Sequence, residues 1–213
     1  MKVVGVVARK GGVGKTTLAI HLAQMAAMQG ETVVLVDMDL QASASAWRLK
    51  RKARGLDGVP VVKGEAVGLK LLLGECKRRG ATLVVIDTRP DIGDVAEAVC
   101  READHVLIPT GATVLDIEAI KDTALMAEKA GTPWSIVFNR VRKTAVSLRQ
   151  ARVLLGKLTP RVAPGAMVLR DVYADSVGTG QVAWEGVLDA HADAKREVGV
   201  VWQWCMTQQG MAS

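Results

Sequence analysis

Residues 8–18 read ARKGGVGKTTL. Gly14-Lys15-Thr16 closes the pattern G-x-x-x-x-G-K-[ST], whose backbone N–H groups cradle phosphates while its lysine and hydroxyl serve the β/γ phosphates and a metal. The opening glycine of that pattern falls at position 9, where this chain has Arg9, and Lys10 adds a second lysine. The flanks are those a phosphate loop needs. VVGVVA (3–8) reads as a strand, and Lys15 to Gln29 reads as a helix with Leu18, Leu22, Met25 and Ala26 on one face. A strand feeding a glycine-rich turn and then a helix N-terminus aims N–H groups and the positive helix end at an anion. In this reading Gly11, Gly12, Val13 and Gly14 form the cradle. Lys15 reaches the phosphates, Thr16 binds Mg²⁺, and Thr17 adds a hydroxyl for the α-phosphate. The competing reading is a glycine-rich β–α turn without a ligand.

Outward from the loop, buried-strand runs alternate with helical patterns. TVVLVD (32–37), TLVVID (82–87), HVLIPT (105–110) and WSIVFN (134–139) are apolar runs of strand length. Between and after them, helical periodicity covers Ala42 to Lys52, Glu65 to Arg79, Asp116 to Lys129, Thr144 to Leu158 and Ala190 to Met206. VAPGAMVLRD is expected to be irregular with a short strand. Strands separated by helices imply right-handed crossovers and a mostly parallel sheet flanked by helices, an α/β P-loop NTPase fold. No linker or repeat interrupts residues 1–213, so one domain is expected.

Two of these strands end in carboxylates at the edge where the loop lies. TLVVID closes on Asp87; TVVLVD closes on Asp37, with Asp39 two residues later. A lone strand-terminal aspartate is weak, because turns also favour it. Three beside a phosphate loop suit a hydrated Mg²⁺ and a carboxylate that orients water.

Composition narrows the setting. Phe and Tyr occur once each, so the core falls to Val, Leu, Ile, Ala and Met. Cys76, Cys100 and Cys205 have no metal-ligand or disulfide spacing and read as buried thiols of a reducing cytosol. No apolar run reaches membrane-spanning length and the N-terminus enters a strand at once, so a soluble cytoplasmic protein is expected. The net charge of +6 is uneven: no acidic residue lies between Glu128 and Asp171. A second basic block holds Arg48, Lys50, Arg51, Lys52 and Arg54. Such blocks suit a polyanionic partner or a solvated surface.

KGGVGKTT with its upstream lysine, VDMDLQASASAW after the second strand and VVIDTRP after the third resemble the deviant-Walker ParA/MinD ATPases, and small ParA-type ATPases over nearly the whole chain. The resemblance implies ATP and Mg²⁺ as ligands and a slow, partner-stimulated hydrolysis. It implies that Lys10 reaches across a nucleotide-sandwich homodimer to the partner's phosphates. Asp39 would position the hydrolytic water, Asp87 would hold Mg²⁺ through water, and Asn139 would contact adenine, an Asx-turn residue being its alternative. Leu40 and Arg89 stand where that family usually has proline. The family binds nonspecific DNA as an ATP dimer, associates with the nucleoid, works with a ParB-like or other centromere-binding adaptor, and positions plasmid, chromosome or other cargo. An accessory ATPase of conjugative DNA transfer and a P-loop ligase or synthetase are the alternatives.

On a helix over Thr144 to Leu158, Arg142, Arg149 and Arg152 fall on one stripe, with Val146, Leu154, Leu155 and Leu158 turned to the body. Lys143 and Arg170 extend the basic face. Such a stripe neutralises phosphates without reading bases. A membrane-cycling alternative needs a basic amphipathic C-terminal helix. The chain has no Lys or Arg after Arg196, and Trp202 and Trp204 are expected in core or dimer packing.

Overall fold

Apolar runs buried on both faces belong in a parallel sheet, and the seven parallel strands do form one. The computed structural model describes residues 1–91, 93–142 and 146–208. Strands β1 (Lys2–Val6), β2 (Val33–Met38), β3 (Val61–Lys63), β4 (Leu83–Thr88), β5 (His105–Thr110), β6 (Trp134–Val141) and β7 (Val162–Val168) take the order β3-β2-β4-β1-β5-β6-β7. One face is covered by α3 (Leu69–Arg78), α4 (Asp94–Glu102), α5 (Val114–Ala130) and α6 (Val146–Leu158). The other carries α1 (Lys15–Met28), α2 (Ser43–Ala53), α7 (Asp171–Thr179) and α8 (Asp189–Gln208).

The order places β1 between β4 and β5, where the sheet's winding reverses. Ligands of open α/β sheets bind at the carboxyl ends of the strands at such a point. Helix α1 follows β1 and is buried on every side from Leu18 through Ala26, with His21 and Gln24 as the polar members of an otherwise apolar run. A helix with that pattern belongs in the interior. Gly5 lets the other face close in: a Cβ there would stand 2.4 Å from Val99 Cγ1 on α4.

Several elements differ from the sequence reading. The VAPGAMV stretch is a full parallel strand, β7, whose two register shifts against β6 mask its periodicity. The three-residue β3 and the nine-residue α4 and α7 are too short for a periodic signal to declare them. On α6 the inward face is Leu148, Ala151 and Leu155, whereas Val146 and Leu154 are exposed. Of the three described members of the expected apolar face, Leu155 alone points inward. Leu158's side chain, with Lys143 and Thr144, lies outside the described residues. All three cysteines are buried and free, and Trp202 sits in the core. Among the described residues no helix is long and apolar enough to cross a membrane.

Candidate nucleotide-binding site

The loop between β1 and α1 turns on two left-handed glycines, Gly12 at φ 74° and Gly14 at φ 81°. Gly14 is also the N-cap of α1. A Cβ there would be strained and would meet Asn139 Nδ2 at 2.6 Å. The close approach has a purpose. Asn139, 2% exposed at the end of β6, donates from Nδ2 to the Val13 and Gly14 carbonyls at 2.9 and 3.1 Å. Arg140 follows with φ 54° and donates from Nη1 to the Gly12 carbonyl at 2.6 Å. The loop is thus braced from β6 by its carbonyls, which leaves its N–H groups available for an anion. Asn139 meets the loop in this arrangement; the adenine contact expected for it is a separate matter.

Lys15 is buried and donates to the Lys10 carbonyl at 3.2 Å. Burial lowers its pKa, against the pull of Asp87 and Asp39. Thr16 and Thr17 follow, both partly exposed. The Thr17 carbonyl is engaged by His21 Nδ1 at 2.7 Å.

The three aspartates meet the loop where the strand pattern put them, but they are not equivalent. In the β2–β4 ladder Asp37 is the register partner of Asp87, which also pairs with Val6 of β1. Asp37 accepts from the Ser45 N–H (2.8 Å), the Ser45 hydroxyl (2.7 Å) and the Asp39 N–H (3.2 Å). It anchors the first turn of α2, which occupies much of the capacity a metal would use. Asp39 is half-exposed and among the described residues accepts only from the Gln41 N–H, at 2.9 Å. Asp87 is fully buried, and neither carboxylate oxygen has a partner of ordinary hydrogen-bond geometry. Burial pushes its pKa up to about 7; the Thr16 hydroxyl pulls down, Asp37 and Asp39 push up, and Lys15 offsets part of this.

A buried carboxylate without a partner is costly unless something else completes it. Two orphaned oxygens beside the Thr16 hydroxyl fit a hydrated magnesium ion. Among the described residues no group of three or more His, Cys, Asp or Glu could hold a metal alone. Mg²⁺ keeps its waters and takes one or two protein ligands plus phosphate oxygens.

Lys10 is the loop's other distinctive residue. Its ammonium contacts Asp116 Oδ1 at 2.6 Å, and its side chain is 41% exposed. Burial acts against Asp116, but Lys10 and Thr113 hold its carboxyl below the usual range. Thr113 and Asp116 form the capping box of α5. Arg9, where a glycine was expected, pairs with Asp122 on the same helix. Both cations ahead of the cradle are therefore tied to α5. Arg89 is held by Asp91 and Asp94 at 3.1 and 2.8 Å.

The basic residues expected on one stripe divide into two that are exposed and two that bind the chain itself. Arg142 and Arg149 are exposed, and Lys143 lies outside the described residues. Arg152 instead donates to the Ala163 and Gly165 carbonyls of β7 at 3.2 and 3.0 Å and lies over the Phe138 ring. Arg170 binds Glu197 and Asp193 on α8 at 2.9 and 3.0 Å. In the second block, Arg51 is buried in a bidentate contact with Glu185, while Lys50, Lys52 and Arg54 are exposed. Helical spacing misled because a guanidinium's reach lets it bind its own fold from a position that looks solvated.

Sequence reasoning missed Asn139's brace, Arg140, Ser45, and the Asp116 and Asp122 partners. Only Asp116 left a local signal, the Thr-x-x-Asp of a capping box. The others are contacts between distant segments.

Loop, strand-end carboxylates and sheet order together define a P-loop nucleotide-binding α/β protein. Residues 4–176 match the CobQ/CobB/MinD/ParA nucleotide binding domain, and the chain belongs to that family. It is 37% identical over 142 residues to the maintenance of carboxysome distribution protein A of Gloeobacter kilaueensis, covering 66% of this chain and 63% of that protein. To the chromosome-partitioning ATPase Soj of Thermus thermophilus it is 32% identical over 138 residues, covering 53% of this chain and 55% of that protein. These matches thus span less than two thirds of either relative. Among solved structures, apo McdA of Cyanothece shares the fold at a TM-score of 0.78 and 18% identity, over 95% of this chain and 98% of that one. A plasmid partition protein of Borrelia burgdorferi bound to AMPPNP follows at 0.73 and 18% identity, over 95% and 99%.

Proposed function

We propose that this chain is a ParA-type ATPase that binds ATP and Mg²⁺, closes as a homodimer around the nucleotide, and uses the cycle to position a cargo on DNA. The observation that carries the reading is the orphaned carboxylate of Asp87 beside the braced phosphate loop. Such a site is left electrostatically incomplete until a nucleotide-bound cation arrives. The metal would neutralise phosphate charge. Thr16 would ligate it directly and Asp87 through water, while Lys15 orients the β/γ phosphates and Asp39, the most exposed of the three carboxylates, orients the attacking water. Asp37 acts mainly by fixing the segment that carries Asp39.

Closure of the dimer would require Lys10 to exchange Asp116 for the partner's phosphates, so the ion pair sets part of the cost of assembly. DNA contact rests on Arg142 and Arg149. Each half-face binds weakly alone, and joining two by nucleotide gives avidity. A ParB-like or other adaptor protein would stimulate slow hydrolysis and release the dimer. The partition and distribution proteins among the relatives support the cargo-positioning part of this reading.

Light scattering of the hydrolysis-impaired Asp39→Ala variant tests it. The mass should double with ATP and Mg²⁺. An unchanged mass at saturating nucleotide would reject the sandwich dimer.

A further inference from the structure

Asn139 and Arg140 are neighbours on β6, yet both side chains reach the phosphate loop. On a regular strand successive side chains point to opposite faces of the sheet, so only one of them should. The ladder gives the reason. Asn139 is the register partner of Met167 and Val141 that of Val168, which leaves Arg140 as an extra residue against β7. Bulges of this kind re-aim a side chain and are common beside active sites. Arg140 takes the left-handed form at φ 54°, one of two non-glycine residues to do so among the described residues. That backbone is unfavourable for a residue with a Cβ, and such strain gathers where a site uses it. The Arg140 N–H is answered locally, by Asn139 Oδ1 at 2.9 Å.

The bulge bears on the direction of the loop's donors. Arg140 Nη1 holds the Gly12 carbonyl, and Asn139 Nδ2 holds those of Val13 and Gly14. In a trans peptide the C=O and the following N–H point opposite ways. Three carbonyls drawn to the tip of β6 therefore turn the N–H groups of Val13, Gly14 and Lys15 to the other side, as a phosphate cradle requires. The Gly14 carbonyl is fixed a second time, by the Leu18 N–H at 2.9 Å. Gly12 is left-handed at φ 74° and has the widest backbone freedom, and among the described residues Arg140 alone answers its carbonyl.

We propose that Arg140 is a positioning residue for nucleotide binding: through the Gly12 carbonyl its guanidinium presets the direction of the loop's N–H groups. The proposal rests on the nucleotide reading above and adds a residue to it. In this role Arg140 touches no phosphate. It acts on the loop, whose N–H groups serve the α/β phosphates, and a loop already in its bound form costs a ligand less to order. Nucleotides with and without a γ-phosphate are therefore affected alike.

Titration calorimetry with Mg·ADP and Mg·AMPPNP tests this on Arg140→Gly, which accepts the left-handed backbone and removes the guanidinium. Affinity for both nucleotides should fall about tenfold and by the same factor, the scale of one lost hydrogen bond from a charged donor. Arg140→Asn, which also tolerates the left-handed form, makes the same measurement without glycine's added freedom in the unfolded chain. Its nucleotide-free melting temperature should stay at the wild-type value. Undiminished affinity in the variants, a loss confined to AMPPNP, or an Arg140→Asn chain that melts well below the wild type would overturn the proposal, the last by making Arg140 a fold contact. Should Arg140→Gly fail to fold, Arg140→Asn decides. A wild-type chain that binds neither nucleotide would remove the nucleotide reading itself, and this proposal with it.

Discussion

Asp37 and Asp87 are register partners in the β2–β4 ladder, yet Asp37 accepts three hydrogen bonds and Asp87 accepts none of ordinary geometry. The contrast separates a carboxylate that stabilises the fold from one held for a ligand. Asp87→Asn should raise the stability of the nucleotide-free chain by about 1–3 kcal/mol, because it removes an isolated buried charge. The same variant should lose Mg²⁺-dependent nucleotide affinity. Asp37→Asn should do the reverse in stability, loosening the start of α2. Urea melts with and without Mg·ATP distinguish the two.

Lys10→Ala should abolish the ATP-dependent increase in mass while lowering monomer nucleotide affinity only slightly, since its ammonium faces Asp116 rather than the cradle. Asp116→Asn frees the lysine and should make dimerisation occur at lower ATP. Sedimentation of both variants across an ATP titration gives the answer. Wild-type assembly by Lys10→Ala would remove the lysine from the interface.

Arg142→Glu with Arg149→Glu should weaken nonspecific DNA binding and leave nucleotide binding intact. If each arginine meets one phosphate, replacing both by Ala removes four contacts from the dimer and should reduce the salt slope by about 3.6. Arg152→Ala and Arg170→Ala should instead act on stability, each costing about 1–3 kcal/mol through carbonyls or carboxylates left unanswered. Gel shifts across a salt series, paired with thermal melts, sort the two kinds of arginine.

His21 supplies a pH dependence. It is fully buried, its Nδ1 meets the Thr17 carbonyl, and its Nε2 accepts from the Ala183 N–H at 3.0 Å. Burial lowers its pKa from 6.5 to about 4, with the Thr17 carbonyl and Glu185 opposing. The unfolded chain binds the extra proton between those values, so stability is full above pH 6.5 and falls as pH drops toward 4, by about 3 kcal/mol. His105, lowered to about 4 by burial and by Arg161, adds to the same window. Denaturant midpoints at pH 7.5 and 5 measure it, and His21→Gln should flatten the slope.

Arg51→Ala should destabilise the chain by about 3–5 kcal/mol, because Glu185 then stays partly buried without its bidentate partner. Lys52→Ala, one residue on and exposed, should be nearly neutral. Chemical denaturation of the pair checks whether the 48–54 block is surface charge or structural joint.

The long periodic segments were readable because their patterns are local. Strand β5 falls on HVLIPT, α1 begins at Lys15, and α5 ends at the left-handed Gly131. The short β3, α4 and α7 were not, since fewer than three turns or four strand residues carry little periodicity.

For the site, the sequence by itself determined the phosphate cradle, because glycine backbone freedom and the strand–turn–helix order are properties of adjacent residues. It also determined that Asp37, Asp39 and Asp87 end strands at one edge, because all strands of a parallel sheet point the same way. Only the tertiary structure decided what each charge meets. Asp87 is buried at the end of β4 with no hydrogen bond of ordinary geometry, and Asp37 is answered because α2 folds back onto it. Arg152 and Arg170 turn inward because β7 and α8 offer carbonyls and carboxylates within reach. Lys10 rests on Asp116, a residue 106 positions away in the chain. Chain neighbours fix backbone shape; charges pair with whatever the fold brings near, and that is set by contacts no local spacing records.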